Sequence, residues 1–103
     1  MRFMVHATLP TTTGNDHMKA NTFATRIQGI LEDLKPEAAY FTEINGCRTA
    51  ILIVDIPDAS HIPAVAEPLF IGFNCSVQLH PVMLPEDLMK AGQAIGAAAQ
   101  KYG

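Results

Sequence analysis

Histidine is the side chain whose charge changes between pH 5 and 8, so the chemistry of this chain starts with His6, His17, His61 and His80. Two of the four sit in stretches that alternate strictly. In residues 2–9, Phe3, Val5, Ala7 and Leu9 point one way, while Arg2, Met4, His6 and Thr8 point the other. In residues 75–80, Cys75, Val77 and Leu79 oppose Ser76, Gln78 and His80. If these strands are neighbours, His6, Thr8, Ser76, Gln78 and His80 share one polar surface. On it, His6 and His80 are the candidate catalytic pair, acting as a general base or orienting a ligand. Thr8, Ser76 and Gln78 are candidate ligand-binding groups. The competing reading is two histidines satisfied by Gln78, Ser76 and water. A metal ion would need a third ligand beside the two histidines, and no residue supplies one.

Arg48 and Tyr40 form a second candidate set for ligand binding. The guanidinium fork can hold an anion bidentately; the alternative is a salt bridge at the rim of a subunit interface. His17 and His61 fall at helix starts and read as surface residues. Cys47 and Cys75 show no ligand spacing. They fall on strands about 9–10 Å apart, two strand spacings, too far for a disulfide, so free thiols are expected.

The elements that must position these residues follow from periodicity. After the first strand, Pro10 and Gly14 bound a Thr-rich loop. A helix is then expected from about residue 16, capped by Asn15 or Asp16, with Phe23, Ile27, Ile30, Leu31 and Leu34 in one stripe and Pro36 forcing its end. Residues 38–44 and 47–56 are strands joined by Asn45-Gly46, a strong signal for a tight type I′ hairpin. The run Ala50–Val54 is apolar on both faces, as in a covered central strand. A second helix is expected with Ser60 as cap, Pro63 in its first turn and Pro68 kinking or ending it. After the fourth strand, Pro81 and the segment from Leu84 to Asp87 announce a last helix over 86–102, with Leu88, Ala91, Ile95, Ala98 and Tyr102 on one side. Its Gly92-x-x-x-Gly96 spacing is weak evidence for a close helix contact.

The order is β-α-β-β-α-β plus a C-terminal helix in a single domain, 1–103. Right-handed crossovers arrange the strands 4-1-3-2 in an antiparallel four-stranded sheet with helices on one face, the α+β class called ferredoxin-like. The other face is bare and must be buried by something. A 49% apolar, 17% charged composition points to the same need, and a second copy packed sheet to sheet is the economical answer.

Three short stretches carry a resemblance: Met1-Arg2-Phe3-Met4-Val5 opening into a strand, Val54-Asp55-Ile56-Pro57 ending the third strand, and Pro68-Leu69-Phe70 before the fourth. Over residues 1–84 the chain resembles the muconolactone isomerase family and a group of bacterial proteins of similar size. All belong to the dimeric α+β-barrel superfamily, in which two ferredoxin-like units close a barrel. The resemblance implies a homodimer and a small-molecule site between the sheet and its surroundings, often inside the barrel. Arg2, Met4, His6 and Thr8 would line that barrel with Ser76, Gln78 and His80, joined by Arg48, Ala50, Leu52 and Val54 and by Tyr40 and Thr42. Where the isomerase family carries a His and a Lys on the first strand and two carboxylates on the fourth, this chain has Met4, His6, Ser76 and Gln78. Both carboxylates are gone, which puts the isomerase reaction in doubt, and of the matched positions only His6 could still serve as the base.

Two functions therefore stand. One is a small-molecule-binding protein or cofactor-independent enzyme, isomerase- or monooxygenase-like, using a barrel cavity. The other is a non-catalytic self-association or protein-interaction module. Whether there is catalysis is open, and no motif implies a cofactor or a metal. A net charge of −3 with seven scattered Lys and Arg argues against a nucleic-acid partner. An RNA-binding sheet would also need aromatic and basic residues that this face lacks, Tyr40 and Arg48 aside. No apolar run has the length of a membrane span, and the first residues lack the pattern of a signal peptide, so a cytoplasmic setting is expected.

Overall fold

Alternation in the first strand decides which way the sheet faces. In β1 (Arg2–Thr8), Val5 and Ala7 are fully buried and Phe3 nearly so, whereas the residues between them are half-buried. The computed structural model describes residues 1–103. It joins β1 to β2 (Ala38–Ile44), β3 (Cys47–Asp55) and β4 (Ser76–Pro81) in one antiparallel sheet of order β2-β3-β1-β4. This is the ferredoxin-like order expected from the sequence, read from the opposite edge. The turn between β2 and β3 has positive φ at both Asn45 (54°) and Gly46 (79°), as a type I′ hairpin requires.

The core lies on one face. Leu52 and Val54 of β3 pack there with Val5 and Phe3, under Ile30, Val65, Leu69 and Phe73. The last three come from α3 (Ile62–Phe73) and Ile30 from α2 (Phe23–Leu34). Helix α3 runs through Pro68 rather than ending there and stops at Asn74, whose φ of 54° breaks the helical path. Its approach is capped by Asp58, which accepts a hydrogen bond from the Ser60 backbone N–H in a short 3₁₀ turn, Ala59–His61. Ser60 is therefore not the cap; Pro63 does occupy the first turn of α3.

Two helices expected from the periodicity are each divided in the structure. The Thr-rich stretch after Pro10 is not a loop but the start of α1 (Thr11–Lys19), and Gly14 lies buried inside it. The chain then turns at Asn21 (φ 58°) before α2 begins, so one expected helix is two. Asn tolerates the left-handed conformation through its short polar side chain, which makes this an easy place to turn. Likewise the C-terminal segment divides at Ala91 into α4 (Pro85–Lys90) and α5 (Gly92–Tyr102). No helix is long and apolar enough to cross a membrane.

Cys47 and Cys75 are free thiols. Burial pushes the Cys75 thiol up from the usual 9.0 to about 11, because a thiolate there would lose its hydration. A folded value above the unfolded one means that the contribution is fully present below about pH 9 and lost as pH rises through about 11. Unfolding free energy measured from pH 8 to 11 should therefore fall more steeply for the native protein than for Cys75→Val. Equal slopes would show that Cys75 is not shielded. At neutral pH a thiol reagent should label half-buried Cys47 well before Cys75.

Candidate functional site

In an antiparallel pair, residues directly opposite share a face. The pairing therefore writes the open face of the sheet as three rows in the order β2, β3, β1, β4. Thr42, Thr49, Thr8 and Ser76 form a row of hydroxyls; Tyr40, Ile51, His6 and Gln78 form the next; Ala38, Ile53, Met4 and His80 the third. His6, Thr8, Tyr40, Ser76, Gln78 and His80 do share one face, as β1 and β4 alternation implies.

The third strand is a correction. Ala50, Leu52 and Val54 pair with Ala7, Val5 and Phe3, so they lie in the core under the helices, not on the open face. Thr49, Ile51 and Ile53 take their place. Arg48 has the same parity as Ala50 and belongs to the helix side, whereas Tyr40 opposite Ile51 belongs to the open side. The two cannot hold one anion together. The turn itself carried the signal: a two-residue hairpin at Asn45-Gly46 sets Glu43 opposite Arg48 and Tyr40 opposite Ile51.

On the open face the histidines are one rung apart rather than paired. His80 Nε2 lies 3.3 Å from Gln78 Oε1 on its own strand. His6 lies opposite Gln78, and its Nε2 is buried with no hydrogen-bond partner. A buried polar atom left without a partner costs about 1–3 kcal/mol, so the His6 nitrogen is an unmet demand on this surface. His17 is half-buried against α2 and α3: its ring meets Phe73 edge-on at 4.9 Å, and its Nδ1 lies 2.8 Å from Thr22 Oγ1. His61 Nδ1 lies 3.2 Å from Asp58 Oδ1. That carboxyl is held below its usual range by hydrogen bonds, chiefly from Ser60 and then His61. No three His, Cys, Asp or Glu side chains are grouped to hold a metal ion.

An apolar pocket lies on the other side of the sheet. A pocket of about 220 Å³ opens between α1, α2 and the β2–β3 hairpin, walled by Leu9, Met18, Phe23, Ile27, Leu69 and Phe73 and bordered by Phe41. Its only titratable lining residue is Arg48. The sequence hides this pocket because its lining comes from five elements, α1, α2, α3, β2 and β3, together with Leu9 after β1. Met18 belongs to α1, which the periodicity merges with α2.

The position of Arg48 depends on Gly14. A Cβ on Gly14 would stand 2.6 Å from the Arg48 guanidinium nitrogen Nη1, so the side chain crosses α1 exactly where α1 has no side chain of its own. Glu43, directly opposite on β2, is engaged elsewhere: its Oε2 accepts the Gly46 backbone N–H at 2.9 Å and closes the hairpin turn. The ion pairs of the protein join the N-terminal amine to Asp55, Arg2 to Glu37 and His61 to Asp58, and none involves Arg48. A cation without a counter-ion thus borders an apolar pocket.

No known protein family matches this chain, and no curated protein is significantly similar to it.

The orphaned His6 nitrogen gives a direct expectation. Replacing His6 with Phe keeps an aromatic ring of similar reach and removes the unmatched atom. In urea unfolding at concentrations where the chain is monomeric, His6→Phe should retain the native helical signal and gain about 1 kcal/mol. A loss of stability instead would show that Nε2 is hydrogen-bonded in solution.

Proposed function

We propose that this protein binds a small molecule with an apolar body and a single anionic group, and that it does so as a homodimer of the dimeric α+β-barrel kind. The observation that carries the reading is the pocket of about 220 Å³ with unpaired Arg48 at its edge. Ligand sites are concave, mostly apolar and given orientation by a few polar groups. This one offers aromatic and aliphatic walls and one guanidinium. An aryl or short-chain carboxylate fits both features: its body displaces water from the walls, and its carboxylate takes the free hydrogen-bond fork.

Binding rather than turnover is the better-supported activity at this pocket. Proton transfer needs an acid or base within reach of the substrate. The lining holds Thr42 and Thr49 but no His, Asp, Glu, Lys, Tyr or Cys. Arginine stays protonated and serves as a charge, not as a base.

The open face supports a second reading of where a ligand sits. Half-buried Met4, Ile51 and Ile53 lie there among His6, Thr8, Ser76, Gln78 and His80, with no intrachain cover. A second sheet laid on this face would bury the apolar rows. His6 Nε2 would then meet a partner side chain, a water or a ligand enclosed between the sheets. In that closed space His6 would be the available base.

Calorimetric titration with benzoate and with benzyl alcohol, similar in shape and different in charge, separates these possibilities. Benzoate should bind more tightly than the alcohol, and Arg48→Met should abolish the difference. Gly14→Ala should do the same without loss of thermal stability, since the added methyl meets a movable side chain and Ala favours a helix by about 1 kcal/mol over Gly. Equal affinity of the native protein for both compounds would remove Arg48 from the site. A preference that survives Arg48→Met and is lost in His6→Phe would move the site to the open face.

A further inference from the structure

The segment after β4 leaves the body of the protein. Every residue from Met83 to Lys90 and from Gly92 to Gly103 is exposed. The molecule measures 58 × 29 × 20 Å, with a radius of gyration of 17.2 Å, against about 13 Å for a compact chain of this length. Its accessible surface of 6944 Å² exceeds by about 1,300 Å² what a compact monomer of this mass exposes. A standard protein interface takes about 800 Å² from each partner. The excess is therefore enough for an interface.

The arm has the composition of something meant to be covered. Leu88, Met89, Ile95 and Tyr102 are all at least half exposed. Helices of 6 and 11 residues are also too short to persist in water without a surface to lie on, since isolated helices below about 12–15 residues are marginal.

A second uncovered feature lies at the opposite edge of the sheet. The arm hangs from β4, and the far edge strand is β2, exposed from Ala39 to Glu43. Tyr40 and Phe41 point to its two faces and are 62% and 53% exposed. An exposed apolar edge is a template for unwanted pairing, and folded proteins protect such strands. Each chain thus carries an arm with nothing to lie on and an edge with nothing lying on it, three strand spacings apart.

We infer that the C-terminal arm, α4 and α5, is exchanged between two copies of this chain, each arm packing its apolar side along β2 of the other copy. The arrangement rests on the self-association proposed above and adds an interface to it. Two reciprocal arms follow from two-fold symmetry, in which the same contact is made twice.

The test mixes isotopically light and heavy full-length protein, applies a lysine crosslinker and sorts the products by mass. Lys90 and Lys101 lie on the arm, and Lys35 caps α2 three residues before β2. Heavy-to-light links from Lys90 or Lys101 to Lys35 are expected. The variant Leu88→Glu/Ile95→Glu should lose those links and weaken dimerisation at least tenfold by analytical ultracentrifugation. Links from arm to body only within one chain would overturn the exchange, because the arm would be folded back on its own domain. A variant that dimerises as tightly as the native protein would overturn it too, while leaving a sheet-to-sheet dimer standing. A native protein that sediments as a monomer at micromolar concentration would overturn both.

Discussion

The burial of Val5 and Ala7 of β1, beside Leu52 of β3, beneath Leu69 and Phe73 of α3 is the packing on which the other features depend. Side chains on a strand alternate between faces, so placing Val5 and Ala7 inward turns His6 and Thr8 outward. A slip of one residue would exchange the two sets completely. β1 lies at the centre of the sheet, paired with β3 on one side and β4 on the other, and its register is passed to both. The rows of the open face, including the Thr42–Thr49–Thr8–Ser76 hydroxyls, are consequences of that one choice.

The same packing explains why this pocket lies on the helix side of the sheet. Two layers, one sheet and one set of helices, bury a single core between them. α2 and α3 cover the centre of the sheet, while α1 meets the β2–β3 side where Arg48 crosses it at Gly14. Between these supports the walls stand apart, and a pocket remains. A larger residue at position 14 would push the guanidinium away, so a single absent side chain sets where the pocket's one charge sits. Glu43 contributes by closing its own hairpin turn instead of neutralising that charge.

The uncovered surfaces are of three chemical kinds. The open sheet face mixes hydroxyls, histidines and Ile51 and Ile53; the β2 edge exposes Tyr40 to one side and Phe41 to the other; the C-terminal arm stands apart and exposes Leu88, Met89, Ile95 and Tyr102. A composition rich in apolar and poor in charged residues for so small a domain makes sense of this, since one core cannot absorb it all.

Local chemistry decided a good deal of this protein from the sequence alone. The alternation of residues 2–9 and 75–80, the Asn45-Gly46 turn and the chirality of crossovers were sufficient for the strand order and for the face shared by His6, Gln78 and His80. Each depends on neighbours within a few residues or on a general rule of handedness. Tertiary structure alone decided the rest. Apolar side chains on both faces of β3 leave its parity open until Val5 and Leu52 pack together, which puts Arg48 on the helix side rather than the open side. Gly14, an ordinary loop signal, is a buried helical position beside which Arg48 lies, and Asn21 with its positive φ is the turn between two helices. The pocket joins residues from Leu9 to Phe73, far apart in the chain, and no local pattern records a distance that only packing creates.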